Sequence, residues 1–285
     1  MHPISPVNIL KVTLDDSIEQ SDLVVVEEPL EIRLGYGSME NRQQRSVSVT
    51  MRTPTHDFEL ALGFLYSEGI ITSYNQILSI KYCADAGKQA TQNIVRVEMK
   101  PEVIFNAQSL QRNFYATSSC GICGKASIEA IDSMICDLPK QKLEQYALKI
   151  SKDYIINLPK SLTQRQKVFE YTGGLHAAAL FDELGNIILL REDIGRHNAL
   201  DKLIGNALTQ DLLPLNNKVL LMSSRASFEL IQKVVMANIS IIATIGAPSS
   251  LAIQTAEQFG VTLIGFLRNE SFNIYSGKER ILAID

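Results

Sequence analysis

Between Arg45 and Arg52 apolar and polar side chains alternate. Val47, Val49 and Met51 fall on one face, and Ser46, Ser48, Thr50 and Arg52 on the other. A period of two predicts a half-buried strand. Pro29–Leu34 alternates in the same way until Gly35-Tyr36-Gly37 breaks it, and the stretch before Val26 has weaker strand character, centred on Val7–Leu14. Thr53-Pro54-Thr55 ends the second strand and opens a helix. Thr55 can cap it, Asp57 and Glu59 suit its N-terminal dipole, and Phe58, Leu62 and Leu65 share a face. Gly69 is placed to terminate it. A strand pair is predicted at Ile77–Tyr82 and Asn93–Met99, then a helix near Ala126–Asp137 with Ile128, Ile131 and Ile135 aligned.

From Val168 the rhythm changes. Val168–Leu180 and Ile187–Leu190 read as strands joined by a turn at Phe181–Asn186, and a helix covers roughly His197–Leu208. After Pro214 strands and helices alternate: Val219–Met222, Phe228–Ala237, Ile239–Thr244, Ser250–Phe259 and Val261–Phe266. Strands about 20 residues apart with helices between them predict right-handed βαβ units and a parallel sheet. The fold class is therefore α/β with a smaller α+β N-terminal domain. The expected division is residues 1–125, ending in a cysteine-bearing loop, and residues 126–285.

A chain of 285 residues can bury a sizeable core. With 27 basic and 31 acidic side chains its net charge is −4, which gives no electrostatic footprint for nucleic acid. No basic region followed by an apolar run marks a secretory leader, and no stretch approaches the roughly 18 apolar residues of a membrane span. Four cysteines are too few for a disulfide framework, so a cytoplasmic, reduced and soluble protein is expected.

The cysteines nevertheless carry the chemistry. Thr117-Ser118-Ser119-Cys120-Gly121-Ile122-Cys123-Gly124-Lys125 sets a C-x-x-C pair among small residues beside a lysine. Backbone freedom and a nearby cation favour thiolate. Metal binding, dithiol exchange and sulfur carriage all use this spacing. A closed zinc site needs two further ligands, which Cys83, Cys136, His176 or His197 would have to supply from afar. Zinc deamination is excluded, because neither H-x-E nor P-C-x-x-C is present. Cys83 and Cys136 read as inert, and no metal is expected.

A second site is predicted at the carboxyl ends of the C-terminal strands, where open α/β sheets bind ligands. Three loops, 223–227, 245–250 and 266–271, are rich in Ser, Gly and Arg. Ser249-Ser250 at a helix start, with Arg225 and Arg268, would suit a phosphate-bearing ligand. His176 after Gly173-Gly174, and His197 after Gly195, are candidate pocket walls. Arg42, Arg45 and Arg52 form either a solvated face or a basic lip.

Together these stretches resemble the formate dehydrogenase accessory sulfurtransferase family, FdhD. The resemblance is carried by Asn41-Arg42, Arg45-Ser46-Val47, Arg52-Thr53-Pro54, Gly63-Phe64-Leu65, Ser119–Gly124, Thr172–His176, Asp193–Lys202, Ser224–Ser227, Ala247-Pro248-Ser249 and Gly265–Tyr275. It implies a sulfurtransferase that takes sulfane sulfur from a cysteine desulfurase and passes it to the molybdenum cofactor of formate dehydrogenase. That cofactor is the bis(molybdopterin guanine dinucleotide) form, sulfurated before it enters the apoenzyme. It further implies a C-terminal domain similar to cytidine deaminase without the zinc motif, and a homodimer. Cys120 would carry the persulfide and Cys123 would be the second functional thiol. The cofactor-binding run would be Phe266, Leu267, Arg268, Asn269, Glu270 and Ser271. A zinc-binding or thiol-redox module using the same cysteine pair is the alternative.

Overall fold

The computed structural model describes residues 2–83, 92–103, 148–268 and 270–282. Cys120, Cys123, Cys136, the predicted helix near 126–137 and Asn269 lie outside the described residues.

The chain opens with a separate two-stranded antiparallel hairpin, β1 (Ile4–Val12) and β2 (Ser17–Val25). The next sheet has the order β4-β3-β6-β5, built from β3 (Glu28–Tyr36), β4 (Gln43–Arg52), β5 (Ile77–Tyr82) and β6 (Ile94–Met99). Helix α1 (Asp57–Ser67) follows β4 and lies across this sheet. Leu30, Ile32, Leu34, Val95, Val97 and Met99 pack with Leu60, Ala61 and Leu65 of the helix.

In β4 the predicted faces hold only halfway. Ile32 pairs with Ser48 while Arg33 pairs with Ser46, so Val47 is an extra residue. A β-bulge of this kind exchanges inside for outside. Val47 stays buried, yet beyond it Ser48 and Arg52 turn inward and Val49 is 51% exposed. Arg52 is thus neither solvated nor part of a basic lip. It is fully buried, and its fork grips Asp57 at 3.0 and 2.9 Å. Arg42 is also engaged, by Glu98 and by the carbonyls of Gly37 and Met99. The helix cap differs as well: His56, at φ 55°, occupies the N-cap and makes no side-chain cap bond, while Thr55 is held at φ 114°.

The larger sheet has the order β13-β12-β11-β10-β8-β9. Its strands are β8 (His176–Phe181), β9 (Ile187–Asp193), β10 (Val219–Met222), β11 (Ile241–Thr244), β12 (Thr262–Arg268) and β13 (Ser271–Ser276). The predicted parallel core is present in β10–β11–β12, and antiparallel neighbours flank it on both sides. A minor parallel pair, β7 (Ile150–Ser151) with β14 (Ile281–Leu282), lies apart.

Helices cover both faces of the large sheet. On one side Leu220, Met222, Ile242 and Leu263 meet α4 (Arg196–Thr209), α5 (Phe228–Met236) and α6 (Ser250–Phe259). On the other, Leu221, Ile241, Ala243 and Ile264 meet Ile155, Leu158 and Leu162 of α2 (Lys152–Thr163). The Val168–Thr172 part of the predicted first strand is instead a short helix, α3 (Lys167–Thr172). Its aromatic and β-branched residues mimic a strand, but Gly173 at φ 63° donates its N–H to the Phe169 carbonyl and ends a helical turn.

The two layers meet where α1 crosses α4. Gly63 faces the backbone of Asp201 and Gly205, and Gly205 faces the backbone of Glu59 and Gly63. With no side chain between them the helix backbones touch, and polar partners rim the crossing. Arg191 holds Glu59 through two nitrogens, Asn206 donates to the same carboxylate, and His56 lies within 3.4 Å of it. Burial alone would raise the Glu59 carboxyl, but Arg191 and His56 outweigh it and bring it down to about 2.

Candidate functional site

The parallel register of β10, β11 and β12 brings their carboxyl ends to one edge, and the three predicted loops lie there side by side. They are bonded to one another. Gly246 N–H donates to Ser224 O, Ala226 N–H to Ala247 O, Ser249 N–H to Ala226 O, and Phe266 N–H to Gly246 O, at 2.9–3.2 Å. Close approach requires glycine here: a Cβ on Gly246 would sit 2.8 Å from Arg225 Cγ, and one on Gly265 3.0 Å from Pro248 Cδ. The antiparallel strands add their own ends to this edge. β8 starts there with His176, which pairs with Asp193 at the end of β9. The edge therefore gathers the turns into α4, α5 and α6 and the β12–β13 turn.

Most of the serines that sequence reasoning offered to an anion serve the protein itself. Ser223 Oγ accepts from Ala177 N–H at 2.8 Å, Ser224 Oγ donates to Arg225 O, and Ser249 Oγ caps α6 through Ala252 N–H. Ser250, Arg225 and Arg268 are exposed. Arg268 lies over the Phe266 ring, 5.6 Å from its centroid, which keeps a cation on an aromatic platform at the edge.

Phe266, Leu267 and Arg268 end β12, Glu270 lies in a turn and Ser271 opens β13. Phe266 and Glu270 both have positive φ, 54° and 59°, and the register shifts between Gly265 and Arg268. This irregularity turns Leu267 into the core, 1% exposed, so it can meet a ligand only through its backbone. Phe266, Arg268, Glu270 and Ser271 remain at the surface or partly so.

The candidate histidines sit at the same edge. His197, in the first turn of α4, places Nε2 3.3 Å from Ser227 Oγ at the N-cap of α5. Burial first, then Arg196 and Lys233, push His197 down to about 3. Burial and Arg196 likewise lower His176. Both rings are neutral at physiological pH, so they present hydrogen-bonding edges and Arg196 supplies the charge. The ordinary histidine value is 6.5, and a depressed folded value stabilises the protein above it. The contribution of His197 is then lost progressively as pH falls from 6.5 toward about 3. Urea midpoints measured across that window should fall less steeply for His197→Gln than for the natural chain. Parallel slopes would show that the ring titrates normally.

The charged stretch Arg191–Asn198 around the candidate wall His197, continued to Lys202, works chiefly as a clamp. Lys202 Nζ lies 2.6 Å from Asp193 Oδ2, both side chains fully buried, and donates to Thr53 O at 2.9 Å. Asp193 also accepts from the N–H groups of Thr53 and Gly195 and from Asn198 Nδ2, which in turn donates to Met51 O. The end of β4 is thereby fixed to the β9–α4 turn. A second buried pair, Lys233 with both oxygens of Asp201 at 2.9 Å, joins α5 to α4, and Ser67 donates to Asp201. Burial alone would lower Lys233, but Asp201 and Glu68 raise it and keep it protonated. Sequence periodicity did not expose these partners. The only signal was charge at positions that a helical face would bury.

Among the described residues no group of three or more His, Cys, Asp or Glu side chains is placed to hold a metal ion. No helix there is long and apolar enough to cross a membrane.

The match to known families is decisive on lineage: the FdhD/NarQ family model covers residues 25–282. The chain is a member of the FdhD/NarQ family. Its relatives include the sulfur carrier protein FdhD of Streptomyces avermitilis, 48% identical over 91% of this chain and 89% of that protein. The FdhD of Mycolicibacterium paratuberculosis is 48% identical over 96% and 97% of the two chains, and that of Sulfurisphaera tokodaii 39% over 98% and 99%. A crystal structure described as a formate dehydrogenase accessory protein, from Desulfotalea psychrophila, superimposes with a TM-score of 0.73. It spans 99% of this chain at 21% identity, which establishes a shared fold. In this chain the fold joins a four-stranded and a six-stranded sheet through α1 and α4.

Proposed function

We propose that this FdhD-family chain is a sulfur carrier in formate dehydrogenase maturation. In this role Cys120 receives sulfane sulfur from a cysteine desulfurase, and the strand-end edge holds the bis(molybdopterin guanine dinucleotide) molybdenum cofactor as its cargo. The observation that carries the proposal is the edge itself: three interlocked loops, the Arg225 and Arg268 cations, and two neutral histidines beside Arg196 suit a large ligand bearing phosphates and a purine. The helix-covered sheet above it supports a cytidine-deaminase-like frame stripped of zinc ligands. A reducing cytoplasm and a homodimer complete the proposal.

The chemistry balances without a resident cofactor. The Cys120 thiolate attacks the terminal sulfur of the donor persulfide. The donor S–S bond breaks, the donor leaves as thiolate, and Cys120 becomes a persulfide. Delivery as sulfide needs two electrons. Cys123 thiolate attacks Cys120 Sγ, forms the Cys120–Cys123 disulfide and expels hydrosulfide toward the cargo. A cellular dithiol then reduces the disulfide. Of the six residues assigned to the cargo, Phe266, Arg268, Glu270 and Ser271 contribute side chains and Leu267 its backbone; Asn269 belongs to the same run.

Mass spectrometry after incubation with a cysteine desulfurase and cysteine should show one added sulfur on the natural chain and none on Cys120→Ala. Cys123→Ala should load sulfur but fail to release it. If Cys120→Ala loads normally and restores formate dehydrogenase activity, the assignment is wrong.

A further inference from the structure

The hairpin β1–β2 lies almost wholly outside the family match, which begins at residue 25. At about 3.3 Å per residue its nine-residue strands reach roughly 30 Å. Among the described residues it meets the rest of the chain near its base, where β2 runs beside α3 and Val25 Cγ2 fills the space beside Gly174, while Val26 N–H to Pro3 O closes the hairpin's own ladder. Every residue from Lys11 to Gln20 is exposed. The tip is ordered all the same: Thr13 N–H donates to Asp16 O at 2.8 Å, and the Thr13 hydroxyl accepts from Asp16 N–H.

What this tip displays is unlike ordinary surface. Leu10, Val12 and Leu14, at alternate positions, are 59%, 70% and 104% exposed, while Ile18, 58% exposed, pairs with Lys11 and lies on the opposite face from Leu10 and Val12. Glu19 pairs with Leu10, Asp15 and Asp16 stand in the turn beside Leu14, and Lys11 is the single cation of the two strands and their turn. A two-stranded hairpin gains little stability alone, and an exposed face carrying Leu10 and Val12 next to Leu14 at the tip marks an interaction surface. The acidic border calls for a hollow rimmed with lysine and arginine. Location narrows the occupant. Gly174, against which the base is seated, stands two residues before His176 on the strand-end edge, where the cargo must be handed over.

We infer that β1–β2 is a docking arm for the apoenzyme that receives the cofactor, its apolar tip seated in a basic-rimmed hollow of that protein. The inference rests on the carrier role above.

Binding of the full-length chain to purified formate dehydrogenase apoprotein from the same organism, measured by biolayer interferometry at low and high salt, tests it. Val12→Ser with Leu14→Ser, and separately Asp15→Lys with Asp16→Lys, should each weaken binding about tenfold or more. The charge-reversed chain should also lose the salt dependence of the association rate. Persulfide loading of Cys120 by the desulfurase should be unchanged in both. Unchanged apoprotein affinity overturns the inference. So does impaired sulfur loading with intact apoprotein binding, which gives the arm to the donor, and so does an altered sedimentation mass, which gives it to a second copy. Failure of the natural chain to load sulfur, read before apoprotein is added, sinks the carrier role instead.

Discussion

Gly205→Ala and Gly63→Ala should each lower the melting temperature by about 6–12 °C. A Cβ on Gly205 would lie 1.9 Å from the Glu59 carbonyl oxygen, and one on Gly63 1.8 Å from that of Asp201. Both obstacles are helical backbone, so no rotamer change relieves them, and the axes of α1 and α4 would have to part by more than about 1 Å. Separation would loosen the contact between the two cores and pull Glu59 from Arg191 and Asn206. Overpacking costs about 1–3 kcal/mol in general, and a backbone collision belongs at or above about 3 kcal/mol. Gly173→Ala is the control. Nothing lies within 4 Å of its added methyl, and only the positive φ of 63° penalises it, by about 1 kcal/mol. Thermal melts followed by circular dichroism decide the matter. A Gly205→Ala protein melting within about 2 °C of the natural chain would mean that the helices do not cross as described.

Lys202→Met is expected to cost about 3–5 kcal/mol, because it strands a buried carboxylate. Lys202 and Asp193 are both fully buried, and Thr53 O also loses its donor. Asp193 would keep the neutral donors Thr53 N–H, Gly195 N–H and Asn198 Nδ2, which soften the loss without balancing the charge. Adding Asp193→Asn to Lys202→Met should recover part of the stability, since it removes the orphaned charge. Urea denaturation should show a lower midpoint for the single variant and an intermediate one for the double. A single-variant loss under about 1 kcal/mol would mean that water reaches the pair.

The elements that sequence read well are those whose period is undisturbed. The βαβ alternation after Pro214 placed β10, α5, β11, α6 and β12 within a few residues, and with them the edge where three loops meet. The antiparallel flanks were less legible: parallel and antiparallel neighbours of a buried strand show the same apolar run. The β4 bulge hid because one inserted residue reverses every later position without changing composition. Val49 thus appeared as core and Arg52 as surface. At the edge, Ser223, Ser224 and Ser249 had the right chemistry for a ligand, but their partners are backbone groups brought near by the fold. The Asp193–Lys202 pair, nine residues apart and facing Thr53 across some 140 positions, has no local pattern at all.

The mutual hydrogen bonds of the strand-end loops alter the thermodynamics of whatever binds there. Gly246, Ala226 and Phe266 have their backbone partners before any ligand arrives, so folding has already met the cost of ordering them. Only the exposed side chains, chiefly Arg225 and Arg268, have freedom left to surrender. In the proposed role the chain must release its cargo as readily as it takes it up. A rigid seat with a few adjustable cations allows both, because affinity can be traded at the arginines while the shape that selects the ligand stays constant.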